Sequence, residues 1–278
     1  MNASNKIVVF DLDETLGYFT QLCLIWESLC CCAKDRNISV EFDESVFNKL
    51  LDLFPEYIRP NIESILEYLK TKKTAKNCKN VMIYTNNQRQ KFWVNLIKTY
   101  FEKKINYELF DQIICAFKIN GKQVELCRST HNKTHKDFIK CSKVPKNTQI
   151  CFIDDTYFPE MHNDEVYYIK IKPYTYHLSI ETIVDRIIKS GLIDKLFHQE
   201  KDFCINFLKD KLIESHSTIK IKSMKEYNID KIITKEIMNH IEIFFNSQQK
   251  YPNAHFNNIH KTKKRKLYKN KTKKERII

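Results

Sequence analysis

Five short apolar runs, separated by stretches of helical period, restrict the fold of this chain more than any other feature. They are Lys6–Phe10, Val81–Tyr84, Phe110–Cys115, Gln149–Ile153 and Val166–Ile171. Each is too short for a helix and rich in Ile, Val, Phe and Tyr, which reads as buried strand. Between them, Ser45–Leu53, Asn61–Leu69 and Asn87–Phe101 carry apolar residues at helical spacing, as in Trp93, Leu96, Ile97 and Tyr100. Helix patterns also fill Leu178–Ile188, Ile193–Leu212 and Ile229–Phe245. Strands alternating with helices predict an α/β fold with a parallel central sheet and helices on both faces. In open sheets of this kind ligands bind outside the carboxyl ends of the strands. Two of the runs end in acid at that place, in Asp11-Leu12-Asp13 and in Asp154-Asp155.

Glycine narrows the chemistry. The chain of 278 residues has three, Gly17, Gly121 and Gly191, so no G-x-G-x-x-G, G-x-x-x-x-G-K-[ST] or G-x-S-x-G can be written in it. Dinucleotide binding of the Rossmann kind, Walker-type nucleotide hydrolysis and the α/β-hydrolase nucleophile elbow need those glycines for close backbone approach. A hydrophobic fraction of 42% is enough for a core. No segment reaches the roughly 20 apolar residues of a membrane span, and the N-terminus has no signal-peptide core. The chain is therefore expected to be intracellular and soluble, without a membrane partner, and its ten cysteines to be mostly reduced thiols.

Charge is concentrated at one end. The net charge is +13, and residues 261–278, with ten Lys or Arg and one Glu, account for +9 of it. Such a segment self-repels and is expected to be disordered. Lys261–Arg276 reads as a nucleic-acid-binding arm or, through Lys263–Lys266, as a nuclear import signal; the plain alternative is a solubilising end.

Alternate residues of an extended segment face the same way, so Asp11 and Asp13 are directed to one site while Leu12 packs behind. Carboxylates so close need a cation or a shared proton, and one can attack while the other handles a leaving-group proton. Asp154 and Asp155 at a neighbouring strand end would complete an oxygen-ligand set for a hard ion such as Mg²⁺. Between them, Val81–Tyr84 runs into Thr85-Asn86-Asn87, a hydroxyl ahead of a helix start and so a phosphate site in waiting, or, more plainly, a helix cap.

In that order, D-x-D-x-T-L (Asp11–Leu16), Thr85, a lysine and Asp154-Asp155 resemble the haloacid dehalogenase (HAD) superfamily of phosphotransferases. The DLDETL sequence is most similar to the branch of the RNA polymerase II C-terminal-domain phosphatases and the NLI-interacting-factor-like phosphatases, and Arg59-Pro60 before an apolar helix resembles the same branch. The resemblance covers about residues 5–190 and implies a HAD-like, Rossmann-type three-layer domain over 1–190 with a small helical lid at 17–55. The helical extension at 191–250 and the basic tail at 251–278 would follow it. The activity implied is a Mg²⁺-dependent phosphatase working through an aspartyl-phosphate. Asp11 would be the nucleophile and Asp13 the general acid and then base. Thr85, with Asn86 and Arg128, would hold the phosphate. Asp11, Asp13, Asp154 and Asp155 would hold the metal. Lys133, Lys136, Lys140 and Lys143 are candidates for the motif lysine. The branch pattern favours Lys136, because Lys136-Asp137-Phe138 stands eighteen residues before Asp154.

The chain departs from the branch at Asn86, at Thr156-Tyr157 after the acid pair, and over Gly17–Pro55. The substrate implied is a phosphoprotein carrying phospho-Ser or phospho-Thr. A phosphatase of nucleic-acid ends is the alternative the tail motivates. A degenerate, scaffold-type HAD fold would show a broken motif, whereas Asp11, Asp13, Thr85 and Asp154 are all present. Cys127, His131, His135 and Cys141 have the residue types of a zinc site but no common finger spacing, so coincidence is expected. Cys30–Cys32, near Cys23, is read as helix thiols. The stripe of Ile229, Ile232, Ile233, Ile237, Ile241 and Phe244 is read as core packing.

Overall fold

The computed structural model describes residues 5–215 and 221–247, and the backbone of Asn257 and Asn258. The basic tail, Lys261–Arg276 included, lies outside the described residues. In chain order the elements are β1 (Lys6–Phe10), α1 (Thr20–Asp35), α2 (Glu44–Asp52), α3 (Ile62–Thr74), β2 (Asn80–Tyr84), α4 (Lys91–Ile105), β3 (Phe110–Ile114), β4 (Lys118–Ile119), β5 (Lys122–Gln123), α5 (His135–Ser142), β6 (Gln149–Asp154), β7 (Val166–Lys170), α6 (Ile180–Lys189), α7 (Leu192–Phe197), α8 (Lys201–Glu214), α9 (Met224–Asn246) and β8 (Asn257–Asn258). They divide into two units, one of residues 1–16, 60–174 and 229–278, the other of residues 17–59 and 175–228. No described helix is long and apolar enough to cross a membrane.

The first unit is built on a parallel sheet in the order β3-β2-β1-β6-β7, with the short β8 paired at its edge. Both faces are covered, which is why the strands read as continuous apolar runs rather than as alternating ones. On one face Ile7, Val9, Met82, Tyr84, Phe152 and Tyr168 pack with Phe138 and Cys141 of α5. On the other, Tyr167 meets α9. Its hydroxyl is 2.8 Å from His240 Nδ1 and its ring lies against Phe244. Tyr68 of α3 touches Phe245 of α9, and α3 packs on α4. The layering is compatible with a Rossmann-like three-layer fold. From β1 the chain builds outward through β2 and β3, then returns to β6 on the opposite side of β1. The crevice at the carboxyl ends of β1 and β6 is thus the topological switch point of the sheet.

Helix α9 belongs to this unit. Ile233, Ile237, Ile241 and Phe244 form its buried stripe, while Ile232 is turned outward. Its last turn is closed by Lys6 of β1, whose Nζ donates to the carbonyls of Phe244, Phe245 and Ser247 at 2.8, 3.0 and 2.7 Å. A cation there meets the negative end of the helix and satisfies carbonyls that have no intrahelical partner.

The second unit is helical. α1 packs on α8, and α6, α7 and α8 contact one another. Trp26 meets Phe42 and Phe47 edge-on, and Phe42 meets Phe197. Gln21 is buried with hydrogen bonds at both ends of its amide: it donates to Leu178 O at 3.1 Å and accepts from Leu178 N and the Tyr57 hydroxyl at 2.9 and 3.2 Å. The chain enters this unit at Gly17. A Cβ there would stand 2.5 Å from Tyr57 O and 2.6 Å from the Phe19 ring, so no side chain fits without displacing backbone.

This division corrects the expected one. The segment 17–55 does not form a lid of its own, and 191–250 is not one extension. Residues 17–59 share a core with α6, α7 and α8, whereas α9 joins the sheet. The helix expected over Ile193–Leu212 is also two helices, broken at His198, where φ is +43°.

Candidate active site

Asp11 follows β1 directly, its N–H continuing the ladder to Ile153 O at 2.9 Å. Leu12 is buried behind it, and Asp11 and Asp13 line one cleft of about 340 Å³. Asp154, the last residue of β6, and Asp155 line the same cleft. Asp154 Oδ1 accepts from Thr156 N at 2.7 Å, and Asp155 Oδ1 accepts from the Thr15 hydroxyl at 3.4 Å. Oxygens of Asp11, Asp154 and Asp155 all lie within 4.8 Å of one another. An all-carboxylate set so arranged can hold a metal ion, and its hard oxygen donors suit a hard cation. Asp13, which was expected among the ligands, stands outside the set, its carboxylate hydrogen-bonded to Asn87.

The cation against these carboxylates is Lys133. Its Nζ is 2.5 Å from Asp11 Oδ1 and 2.7 Å from Asp154 Oδ2, and the residue is 1% exposed. Rings of Tyr84, Phe152 and Phe158 surround the ammonium at 5.4–5.8 Å. Burial alone would lower its pKa, but the Asp11 and Asp154 charges outweigh burial and raise it, so the ammonium stays charged. Lys136 and Lys140 are exposed on α5, Lys143 is exposed just past its end, and none of the three lines the cleft. The structure thus brings Lys133, and not the expected Lys136, against the carboxylates. The cause is local. Thr134 caps α5, its hydroxyl accepting from Asp137 N at 3.0 Å, so Lys133 is the residue just ahead of the helix and turns inward. Thr134-x-x-Asp137 is a capping signal that could have set the helix start from sequence.

Thr85 follows β2 directly, its N–H on Ile114 O at 3.0 Å, and it is buried. Thr85, Asn86 and Asn87 all line the cleft, but no helix starts immediately behind them: α4 begins at Lys91 after Gln90. The reading of Asn86 or Asn87 as its cap is therefore corrected. Asn87, which the motif comparison passed over, is held three ways. Its N–H donates to Thr85 Oγ1 at 3.0 Å, its Oδ1 accepts from Arg89 N at 2.8 Å, and its Nδ2 donates to Asp13 Oδ2 at 2.7 Å.

Arg128 does not line the cleft, which corrects its expected place beside a phosphate. Its buried guanidinium donates to four main-chain carbonyls: Cys115 and Thr85 at 2.8 and 3.2 Å, His131 and Asn132 at 3.0 and 3.2 Å. It therefore fastens the ends of β2 and β3 to the loop that delivers Lys133. Cys127 and Cys141 close the same segment as a disulfide, while the eight other cysteines are free, in keeping with mostly reduced thiols. With those sulfurs joined, neither is left as a thiolate for zinc; His131 is exposed and packs against Phe117.

Electrostatically the cleft is short of positive charge. Burial and the nearby Asp11 push Asp13 up to about 7, against the opposing hydrogen bond from Asn87. Burial likewise raises Asp154, which Lys133 restrains, and Asp155, which Asp11 raises further. A divalent cation beside Asp11, Asp154 and Asp155 would relieve that repulsion. No known protein-family profile matches this chain, and no curated protein matches it.

Proposed function

We propose that this chain is a Mg²⁺-dependent phosphomonoesterase of the HAD type that acts through an aspartyl-phosphate. The observation that carries the reading is the convergence on one cleft of Asp11, Asp13, Thr85, Lys133, Asp154 and Asp155, each in its motif order. In the reaction, a carboxylate oxygen of Asp11 attacks phosphorus and forms an O–P bond as the ester P–O bond breaks. Asp13 gives its proton to the leaving oxygen. Water then attacks the phosphoryl group and passes a proton to Asp13, which releases inorganic phosphate and restores the Asp11 carboxylate. The Thr85 hydroxyl holds a phosphoryl oxygen, and Lys133 keeps charge off Asp11 and the phosphate. Mg²⁺, held by Asp11, Asp154 and Asp155, supplies charge neutralisation when bound.

The substrate class follows from the DLDETL likeness: a phospho-Ser or phospho-Thr protein, met inside the cell. Phosphorylated nucleic-acid ends are the second reading, favoured by the +9 segment at 261–278. A scaffold role is disfavoured by the intact set of acids.

The test is hydrolysis of an aryl phosphate with and without Mg²⁺, for the wild type and Asp11→Asn, whose amide keeps the shape but is not a nucleophile. Turnover that needs Mg²⁺ and vanishes in the variant supports the mechanism; a tenth of wild-type activity in the variant overturns it. A phosphopeptide panel beside 5′- and 3′-phosphorylated oligonucleotides then separates the substrates.

A further inference from the structure

We infer that Asn87 is the positioning residue for Asp13, fixing which carboxyl oxygen faces the leaving group and tying the acid to the phosphate-holding Thr85. The inference rests on the phosphatase reading and extends it to a residue outside the motif set.

A carboxyl group turns about a broad, nearly two-fold terminal torsion, so Asp13 has little rotamer preference of its own. Asn87 removes that freedom, because its Nδ2 donates to Asp13 Oδ2 at 2.7 Å. The amide cannot flip in response, since its Oδ1 accepts from Arg89 N at 2.8 Å, and only the NH₂ end can meet a carboxylate. Oδ1 of Asp13 is thereby the oxygen left to deliver a proton. The Asn87 N–H also donates to Thr85 Oγ1 at 3.0 Å, which turns the threonine hydroxyl proton away from the loop. One residue thus sets the distance between the group that holds the phosphoryl oxygen and the group that protonates the leaving oxygen. Misplacement by about 1 Å can cost 10²-fold in a step of this kind.

An effect on the acid depends on the leaving group, and that separates positioning from general structural support. A nitrophenolate leaves with little protonation, whereas an alkoxide needs the full contribution of the acid, about 10²–10⁴-fold. Asn87→Ser is the informative variant. The shorter hydroxyl can still accept from residue 89 as an ST-turn, but it cannot reach Asp13.

The experiment measures kcat/KM of the full chain with Mg²⁺ for p-nitrophenyl phosphate and for an alkyl phosphate, in wild type, Asn87→Ser, Asp13→Asn and the double variant, with thermal unfolding run beside it. The expected result is an alkyl-to-aryl ratio at least about tenfold lower in Asn87→Ser, and no further fall when it is added to Asp13→Asn. Equal losses on both substrates, or a full additional loss in the Asp13→Asn background, would overturn the assignment of Asn87 alone. Absence of any Mg²⁺-dependent turnover by the wild type would overturn the phosphatase reading, and this inference with it.

Discussion

Replacing Lys133 with methionine tests the electrostatic reasoning most directly. Methionine fills nearly the same volume, so no cavity term enters, and the change removes one positive charge from between Asp11 and Asp154. Breaking a buried ion pair from one side leaves an uncompensated charge and typically costs about 3–5 kcal/mol. For a chain of this size each kcal/mol moves the melting temperature by about 2–4 °C, so the drop should be about 6–20 °C. Lys136→Met, on an exposed position, should stay within about 0.5 kcal/mol of wild type. The loss should also depend on pH. With the cation gone, Asp154, already raised by burial, takes up a proton more readily, which relieves the repulsion. A carboxyl with a raised pKa makes the folded state bind more protons than the unfolded one, so stability falls as pH rises above the ordinary value of 3.8. The Lys133→Met deficit should therefore grow from pH 5 to pH 8, and excess Mg²⁺ should return part of it by mass action. Scanning fluorimetry across that range with and without Mg²⁺ gives the answer. Equal shifts for Lys133→Met and Lys136→Met, or a deficit that ignores pH, would refute the reasoning.

In the helical unit, Arg186 grips Glu56 with two hydrogen bonds at 2.6 and 2.8 Å and also donates to Leu53 O. Burial would raise Glu56, but Arg186 outweighs it and holds the carboxyl low, so the pair stabilises above the ordinary 4.5 and is lost as pH falls below it. Arg186→Ala should cost about 1 kcal/mol more in urea unfolding at pH 7 than at pH 3, where only the hydrogen bond to Leu53 O is still lost; an equal cost at both pH values would contradict the pairing. Gly17→Ala should cost about 1–3 kcal/mol through the clash with Tyr57 O, and a change under about 0.5 kcal/mol would show that the approach relaxes freely. Deleting residues 261–278 should leave aryl-phosphate turnover unchanged and flatten the salt dependence of nucleic-acid binding. Between 50 and 200 mM salt the full chain should lose about 10³-fold in affinity, and coincident curves for the two proteins would rule out a binding arm.

The sheet was legible because a strand buried on both faces must be apolar at every position, and Lys6–Phe10 or Gln149–Ile153 leaves no other reading. The acids at the strand ends were legible for the same reason: charge following such a run has nowhere to go but the sheet's edge. Spacing to Asp154 alone favours Lys136; Lys133 becomes visible only with the start of α5 at the Thr134 cap, since a lysine one residue ahead of a cap points differently from one in the first turn. Arg128 was read as a charge when its geometry is that of a fork for carbonyls. The pairing of α1 with α8 left no local trace, since which helices share a core depends on contacts far apart in sequence. Asn87 had no signal beyond its neighbourhood with Thr85.

The two-piece construction of the helical unit has a consequence for synthesis on the ribosome. Helix α1 ends at Asp35, and the end of α8 at Glu214 is made 179 residues later. At about 5–20 residues per second, α1 waits about 9–36 s for its packing partner. Throughout that interval Leu22, Ile25, Trp26 and Leu29, all buried in the finished protein, lack the surface that covers them. The sheet waits as well, because β1 pairs with β6 from the middle of the chain and Lys6 closes a helix near its end. A product terminated before α8 would carry an apolar helix with no partner, and one terminated before α9 would leave a sheet face open. The helices α8 and α9 are therefore needed for the N-terminal third to fold, and truncation that removes either should yield aggregate rather than a smaller active domain, unlike removal of residues 261–278 alone.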